Sequence, residues 1–258
     1  MSLIDQLVLF LVSLVANTFS AFSGGGAGLI QFPVLIFLGL SFTVALATHK
    51  VASVALGLGA VLRYLANSQL ERKFIVVMLL AGLPGVIVGG NIILHVPEQW
   101  AILSLGVLTG SLGIYSIFKP ALGQQYQPKH RDNAGYLLGA CMLFLIGILN
   151  GSLTSGTGLF VTIWLVVWFG MDYQRAVAYT LILVGLFWNG AGAITLGLLT
   201  AIHWQWLPAL LVGSLLGGYV GSHLALKHGN RWIKRSFEIV TILISIKLIW
   251  GALTTPQL

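Results

Sequence analysis

Residues 23–40 have the sequence Ser-Gly-Gly-Gly-Ala-Gly-Leu-Ile-Gln-Phe-Pro-Val-Leu-Ile-Phe-Leu-Gly-Leu, a glycine run followed by a short apolar segment. The stretch Gly26-Ala27-Gly28-Leu29 is matched 130 residues later by Gly156-Thr157-Gly158-Leu159. Because glycine has no Cβ, such a run allows the backbone to leave helical geometry. Each glycine-rich stretch therefore predicts a broken helix followed by a second, short helix.

The match between the two stretches extends along the chain and divides it into two halves. The aligned positions are Gly39 with Gly170, Ala45 with Ala176, Ala47 with Ala178, Gly85 with Gly217, Gly89 with Gly221 and Trp100 with Trp232. Their offset drifts only from 130 to 132 residues, and such an ordered series indicates an internal duplication. We assign residues 1–118 to the first repeat, 119–134 to a polar linker and 135–258 to the second repeat.

The composition places both repeats in a membrane. Hydrophobic residues make up 57% of the chain and charged residues only 7%, whereas soluble domains carry about 25% charged residues. Ten apolar segments are expected, five in each repeat: 4–22, 27–40, 44–66, 74–95, 99–118, 135–151, 157–170, 174–200, 204–226 and 232–252. Segments 27–40 and 157–170 are short for a span of about 20 residues, so they are expected to be broken or re-entrant helices. The predicted fold class is all-α integral membrane.

The distribution of positive charge predicts how the segments are oriented. With five segments per half, one side of the membrane collects 11 of the 13 basic residues, namely Arg63, Arg72, Lys73, Lys119, Lys129, Arg131, Arg175, Lys227, Arg231, Lys234 and Arg235. The positive-inside rule then places the linker in the cytoplasm and both termini outside, in a multi-pass protein of the bacterial inner membrane. An odd number of segments per half makes the two repeats inverted. Nucleic-acid binding is not expected, because the basic residues lie in short loops.

The two breaks are the candidate site for a ligand. Backbone amides of a glycine run, together with the N-terminus of the helix that follows, favour an anion. Broken helices at matching positions of inverted repeats point to a transporter site, and the alternative is that the glycines only permit close packing. The candidate binding residues are Gly24, Gly25, Gly26, Gly28, Gln31, Thr48, His49, Lys50, Asn150, Ser152, Thr154, Ser155, Gly156, Thr157 and Thr180.

The stretch from Gly24 to Pro33, followed by Gly39 and by Ala45-Leu46-Ala47-Thr48, resembles the TauE/SafE family of membrane proteins. The resemblance includes the duplicate of this pattern in the second half and covers almost the whole chain. Members of the family are implicated in the export of sulfite and organosulfonates. The resemblance therefore implies an anion transporter, without fixing its substrate or its binding residues.

The tripeptide Thr48-His49-Lys50 departs from that family, in which the threonine is followed by small or apolar residues. A charged residue inside a membrane segment is costly and usually functional, so Lys50 is expected to attract the anion. The alternative is that Lys50 snorkels to the outer surface. His49 is a candidate carrier for a coupling proton.

Other polar residues within the segments have simpler structural explanations. Glu238 lies four residues after Lys234, which predicts a salt bridge near the cytoplasmic surface, and a role in proton coupling is the alternative. Asn91 and Asn189 are expected to form interhelical hydrogen bonds rather than substrate contacts.

The predicted function is secondary transport of a small anion such as sulfite, an organosulfonate or another sulfur oxyanion, with export as the expected direction. An anion channel and a non-catalytic membrane subunit are the alternatives. An enzyme is not expected, because the other acidic residues lie at segment ends or in loops, and no cofactor or metal site is expected. The expected partners are the anion, the lipid bilayer and a coupling proton or ion, and a homodimer is left open.

Overall fold

The computed structural model describes residues 3–64, 70–92, 98–153 and 156–254, and the regular structure in these ranges is entirely helical. The helices are α1 (Leu3–Ser23), α2 (Gln31–Phe37), α3 (Phe42–Tyr64), α4 (Arg72–Ile92), α5 (Glu98–Ile117), α6 (Asn133–Leu153), α7 (Thr157–Val167), α8 (Tyr173–Tyr179), α9 (Asn189–Leu199), α10 (Leu207–His228) and α11 (Asn230–Thr254). Short 3₁₀ turns, Ala27–Leu29 and Trp204–Trp206, precede α2 and α10. A π-helical segment, Thr180–Trp188, joins α8 to α9.

Seven helical stretches in the described ranges are long and apolar enough to cross a membrane. They are Leu3–Ser23, Phe42–Tyr64, Arg72–Ile92, Asn133–Leu153, Tyr173–Leu199, Trp204–His228 and Asn230–Leu253. Two further apolar stretches, Ala27–Phe37 and Thr157–Val167, are shorter. Large apolar side chains such as Leu80, Leu198 and Trp250 face outward, as expected for contact with lipid. The chain is thus an all-α, multi-pass membrane protein, as the composition predicted.

The packing between helices can be compared between the two repeats assigned from the sequence. Helix α1 packs along α10, and α6 packs along α4. In each case the first helix of one repeat contacts the fourth helix of the other. Helices α5 and α11, the fifth of each repeat, pack against each other, and α3 packs against the π-helical segment, its counterpart. Each of these contacts between a helix of the first repeat and a helix of the second therefore has a counterpart in which the two repeats have changed roles.

Glycines that are aligned between the repeats bring α4 close to α6 and α10 close to α1. A Cβ added at Gly85 or Gly89 of α4 would lie 2.3 or 2.0 Å from carbonyl oxygens of α6. A Cβ added at Gly217 or Gly221 of α10 would lie 2.7 or 2.3 Å from carbonyl oxygens of α1. Close approach of two backbones across small residues is a common way to pack membrane helices. Each aligned glycine thus performs the same task in its own half.

Two of the basic residues that the charge pattern assigns to one side of the membrane, Arg131 of the linker and Arg175 of α8, lie close together around Tyr126. Arg131 of the linker lies 3.5 Å from Glu71, at the start of α4. Arg175 stacks over the ring of Tyr126 at 3.8 Å. Burial, together with the hydrogen bond from Tyr126 to Glu71, raises the pKa of the Tyr126 hydroxyl. This clustering agrees with the uneven charge distribution found in the sequence.

The ion pair predicted at the end of the chain is present. Lys234 pairs with Glu238 one turn later on α11, and its ammonium also donates to the backbone oxygen of Ser116 at 2.6 Å. The pair therefore joins α11 to α5, and the prediction of a salt bridge is confirmed.

Candidate functional site

A small cavity of about 40 Å³ lies where the two glycine-rich breaks meet. It is lined by Ser20, Gly25, Gly26, Ala27, Gly28, His49, Ser53, Leu56, Asn150, Thr157, Gly158, Thr180, Leu181, Val184, Gly185 and Asn189. These residues come from both repeats. The lining includes backbone N–H, hydroxyl and side-chain NH₂ groups, which can donate hydrogen bonds to an anion.

The first break is built almost entirely from backbone. Helix α1 ends at Ser23, and the N–H groups of Gly24 and Gly25 both donate to the Ser20 carbonyl, at 2.9 and 2.8 Å. The φ angles of Gly24, Gly25 and Gly26 are 91°, 145° and 103°, which only glycine adopts readily. The chain then forms a 3₁₀ turn before α2 begins at Gln31. The helix after the first break therefore starts later than the sequence pattern predicted.

The second break has one glycine with a positive φ angle, and a helix follows it directly. Gly156 has a φ of 76° and forms the N-cap of α7, which begins at Thr157 and runs for 11 residues. Gly26 and Gly156, which are aligned in the repeat, thus share a left-handed backbone. Thr157 and Gly158, in the first turn of α7, line the cavity. The positive end of the helix dipole is therefore directed at this space.

The two breaks lie with backbone against backbone. A Cβ added at Gly25 would come within 2.6 Å of the Gly158 carbonyl carbon. Nearby, the Thr162 hydroxyl donates to the Gly24 carbonyl at 2.7 Å and lies 2.9 Å from the Thr180 hydroxyl. These contacts hold the first break against α7 and the π-helical segment. They fix the width of the cavity.

Lys50 is completely buried beside the cavity. Its ammonium donates to the backbone oxygen of Asn150 at 2.7 Å, to the Asn150 side-chain oxygen at 2.6 Å and to the Asn189 side-chain oxygen at 3.0 Å. An ammonium has three donors, and each finds one oxygen. The snorkelling alternative for Lys50 is therefore wrong.

Several buried polar side chains are linked by hydrogen bonds into a series that includes His49 in the cavity wall. The Nδ1 of His49 lies 2.8 Å from the Gln31 oxygen, and its Nε2 lies 3.2 Å from the Ser53 hydroxyl. The Gln31 amide in turn donates to Ser13 at 3.0 Å. Ser13 lies 3.0 Å from Ser214 of α10. The chain of side chains thus connects the α1–α10 contact to the cavity wall.

Comparison with known proteins agrees with this architecture. The profile of the family described as "Sulfite exporter TauE/SafE" matches residues 9–248. The chain belongs to the TauE/SafE family. Its relatives include a "Probable membrane transporter protein" of Haemophilus influenzae, 26% identical over 245 residues that cover 94% of each chain. No solved structure gives a match to the chain.

Two further relatives extend over similar lengths. "Probable membrane transporter protein YfcA" of Escherichia coli K12 is 26% identical over 251 residues, 95% of this chain and 90% of YfcA. "Probable membrane transporter protein YunE" of Bacillus subtilis is 22% identical over 269 residues, 94% of this chain and 97% of YunE. The match to the TauE/SafE family therefore extends over both repeats.

The predicted binding residues of this TauE/SafE protein fall into groups that differ in their location relative to the cavity. Those that line the cavity are Gly25, Gly26, Gly28, His49, Asn150, Thr157 and Thr180. Gly24, Gln31 and Lys50 do not line the cavity but form hydrogen bonds to residues that do, namely Ser20, His49 and Asn150. Gly156 caps α7. Thr154 and Ser155 lie outside the described residues.

Two of the predicted residues point elsewhere. The Thr48 hydroxyl accepts a hydrogen bond from the His203 backbone at 3.0 Å, in the loop that precedes α10. The Ser152 hydroxyl donates to the Ile148 carbonyl of its own helix at 2.9 Å. Neither side chain is among the described lining of the cavity.

Sequence reasoning missed several lining residues, of which Asn189 is the most informative. The expected interhelical hydrogen bond of Asn189 is present, since its oxygen accepts from Lys50. The same residue also lines the cavity, which the sequence pattern did not indicate. Asn91 instead donates to the Ile87 carbonyl of its own helix, and within the described ranges it forms no hydrogen bond to another helix. Ser53 lies one helical turn after His49, a spacing that would have suggested a shared face.

Proposed function

We propose that this protein is a secondary transporter that binds a small anion in the cavity between the two breaks. Sulfite, an organosulfonate or another sulfur oxyanion is the proposed substrate, and export is the proposed direction. The observation that carries the proposal is the convergence of both breaks on one cavity lined by hydrogen-bond donors. The names of the relatives, which are given as membrane transporters, agree with it.

The size of the cavity favours a compact substrate. A single water needs about 10–15 Å³ of such space, so about 40 Å³ accommodates an ion of a few heavy atoms. An oxyanion in the cavity can accept hydrogen bonds from the N-terminus of α7 and from the hydroxyls of Thr157 and Thr180. An organosulfonate with a longer carbon chain requires a wider form of the cavity.

We propose that the two repeats are inverted and that they move against each other during transport. The exchanged packing of α1 on α10 and α6 on α4 supports a two-fold relation between them. The excess of basic residues in loops that this topology places on one side of the inner membrane supports a cytoplasmic linker. Epitope tags at both termini should then be accessible from outside, and a tag in the linker only from the cytoplasm. A cytoplasmic N-terminus would refute this topology.

A proton is the proposed coupling ion, with His49 as its carrier. His49 lines the cavity and is hydrogen-bonded to Gln31 and Ser53 on either side of its ring. The proposal predicts that an imposed pH gradient drives uphill anion movement in liposomes. In a His49→Gln variant, anion movement should become independent of that gradient.

The central experiment measures anion flux with purified protein in liposomes. The panel contains sulfite, thiosulfate, taurine, sulfate and acetate, and protein-free liposomes give the background. A carrier should show saturable flux of a sulfur oxyanion that the same anion on the opposite side accelerates. Saturable flux without this acceleration would favour a channel. An absence of protein-dependent flux for the whole panel would overturn the proposal.

Two variants that each remove one threonine hydroxyl test whether the flux depends on the cavity. Thr180→Val removes a hydroxyl that lines the cavity while keeping the shape of the side chain. Thr241→Val removes a hydroxyl that donates to the Phe237 carbonyl of its own helix. We expect severalfold weaker apparent affinity in the first variant and an unchanged affinity in the second. Equal affinities in both variants would place the site elsewhere.

A further inference from the structure

The two buried lysines of this protein have different partners. Lys234 is paired with the carboxylate of Glu238. Lys50 is fully buried, and among the described residues no carboxylate lies within salt-bridge distance of it. Its ammonium is held instead by oxygens of Asn150 and Asn189. A buried charge without a counterion is costly, so its position is expected to serve a function.

The ammonium determines which way the two amides point. A side-chain amide has an acceptor oxygen on one side and an NH₂ donor on the other. Because both side-chain oxygens face Lys50, both NH₂ groups are turned away from it. The Asn150 NH₂ donates one hydrogen to Thr157 at 2.8 Å. Within the described ranges, no acceptor lies against the NH₂ of Asn189, a residue that lines the cavity.

Gly192 leaves space for the side chain of Lys50. A Cβ added at Gly192 of α9 would lie 3.2 Å from the Cδ and Cε atoms of Lys50. The glycine thus leaves a groove through which the lysine passes from α3 toward α6. Lys50 itself is not among the described residues that line the cavity. Its charge therefore reaches the cavity through the amides.

We propose that Lys50 is a positioning residue, which orients Asn150 and Asn189 so that their NH₂ groups bind the anion. The inference rests on the proposed function of the cavity as an anion site. The cation polarises both amides, and a polarised amide is a stronger hydrogen-bond donor. Asn150 and Asn189 are then the residues that contact the substrate, and Asn189 has a free donor for it. The site recognises the negative charge through neutral groups.

A double-mutant cycle tests whether Lys50 acts through Asn189. Binding of sodium sulfite, sodium thiosulfate and sodium nitrate to the detergent-purified protein is measured by calorimetry for wild type, Lys50→Met, Asn189→Leu and the double variant. Asn189→Leu should bind roughly tenfold more weakly, the loss expected for one charge-assisted hydrogen bond, and Lys50→Met at least as weakly, because it releases both amides. The double variant should be about as weak as Lys50→Met alone, because the loss of Asn189 is already included in the loss of Lys50. A product of the two effects, roughly a hundredfold, would overturn the inference.

A second variant separates anion binding from folding. Asn189→Asp keeps an oxygen for Lys50 but removes the NH₂ group, so we expect an unchanged or higher melting temperature together with at least tenfold weaker binding. Unchanged binding in this variant would mean that the NH₂ group of Asn189 does not contact the anion, and would overturn the inference. Lys234→Met is the matched control, since it removes a buried ammonium whose partners, Ser116 and Glu238, do not line the cavity. It should lower the melting temperature and leave the affinity intact.

The two proposals fail in different ways. If wild-type protein binds none of the three anions, the proposed function fails, and this inference fails with it. If wild-type protein binds an anion but the effects of Lys50→Met and Asn189→Leu multiply, only the positioning role of Lys50 is refuted.

Discussion

The two helix breaks occupy matching positions in the repeats but differ in how they are built. The first break has three consecutive glycines with positive φ and contributes backbone to the cavity. The second has a single positive-φ glycine, Gly156, flanked by polar side chains such as Asn150 and Thr157. The two breaks thus share a bend with left-handed backbone, while the side chains around them differ.

The difference indicates a division of tasks between the breaks. Gly25 must be glycine because the backbone of Gly158 leaves no space for a side chain. Asn150 and Thr157 present hydrogen-bonding groups whose loss would leave the backbone in place. Substitutions of the glycines in either break should therefore act first on folding. Substitutions of the polar side chains in the second break should act mainly on which anion is bound and how tightly.

The largest effect is expected for Gly25→Val. Its Cβ would lie 2.6 Å from backbone atoms of Gly158 and Leu159, and φ of 145° disfavours a side chain. We expect a loss of stability of about 4 kcal/mol or more, seen as little folded protein in size-exclusion chromatography. Gly39→Ala is the control, because Gly39 has a φ of 100° but no atom within 4 Å of the added Cβ. Similar folded yields for both variants would show that contact between the breaks is unimportant.

A smaller loss is expected for alanine at the aligned glycines. Gly26→Ala and Gly156→Ala should each cost about 1–2 kcal/mol, because both positions have left-handed backbone. The nearest atoms to the added Cβ belong to the flexible Leu29 side chain, at 3.2 and 3.4 Å. Thermal unfolding should give similar shifts for the two variants. Since only Gly26 lines the cavity, Gly26→Ala alone should also weaken binding of sulfite.

Thr157→Val should affect binding more than folding. The Thr157 hydroxyl accepts from the Asn150 amide at 2.8 Å and lies at the cavity wall. Its loss should cost about 1 kcal/mol of stability, the typical contribution of one hydrogen bond. The affinity for sulfite, measured by calorimetry, should fall severalfold because the released amide is no longer held. A stability loss with unchanged affinity would make Thr157 a structural residue.

The smallest effect is expected for Ser152→Ala. The hydroxyl of Ser152 donates to the Ile148 carbonyl of its own helix, which remains bonded within the helix when the hydroxyl is removed. We expect a stability change within about 0.5 kcal/mol and an unchanged sulfite affinity. A clear loss of affinity would mean that Ser152 turns toward the cavity when the anion binds.

Much of the fold could be predicted from the sequence because membrane helices follow simple rules. A long apolar run must satisfy its backbone within a helix, so the spans from α1 to α11 appear as runs of hydrophobicity. The glycine repeat marked both bends, and Gly26 and Gly156 do share a left-handed backbone. Arg131 and Arg175, which the charge distribution assigns to the same side of the membrane, both contact Tyr126.

The tertiary structure alone decided which polar side chains meet. Thr48 and His49 are neighbours in sequence, but adjacent helical residues point about 100° apart, so one contacts a loop and the other the cavity. Lys50 is separated from Asn150 and Asn189 by 100 and 139 residues. No local pattern relates positions so distant, because their contact depends on how α3, α6 and α9 pack. The sequence by itself determined the helices and their breaks, and the packing of those helices determined the site.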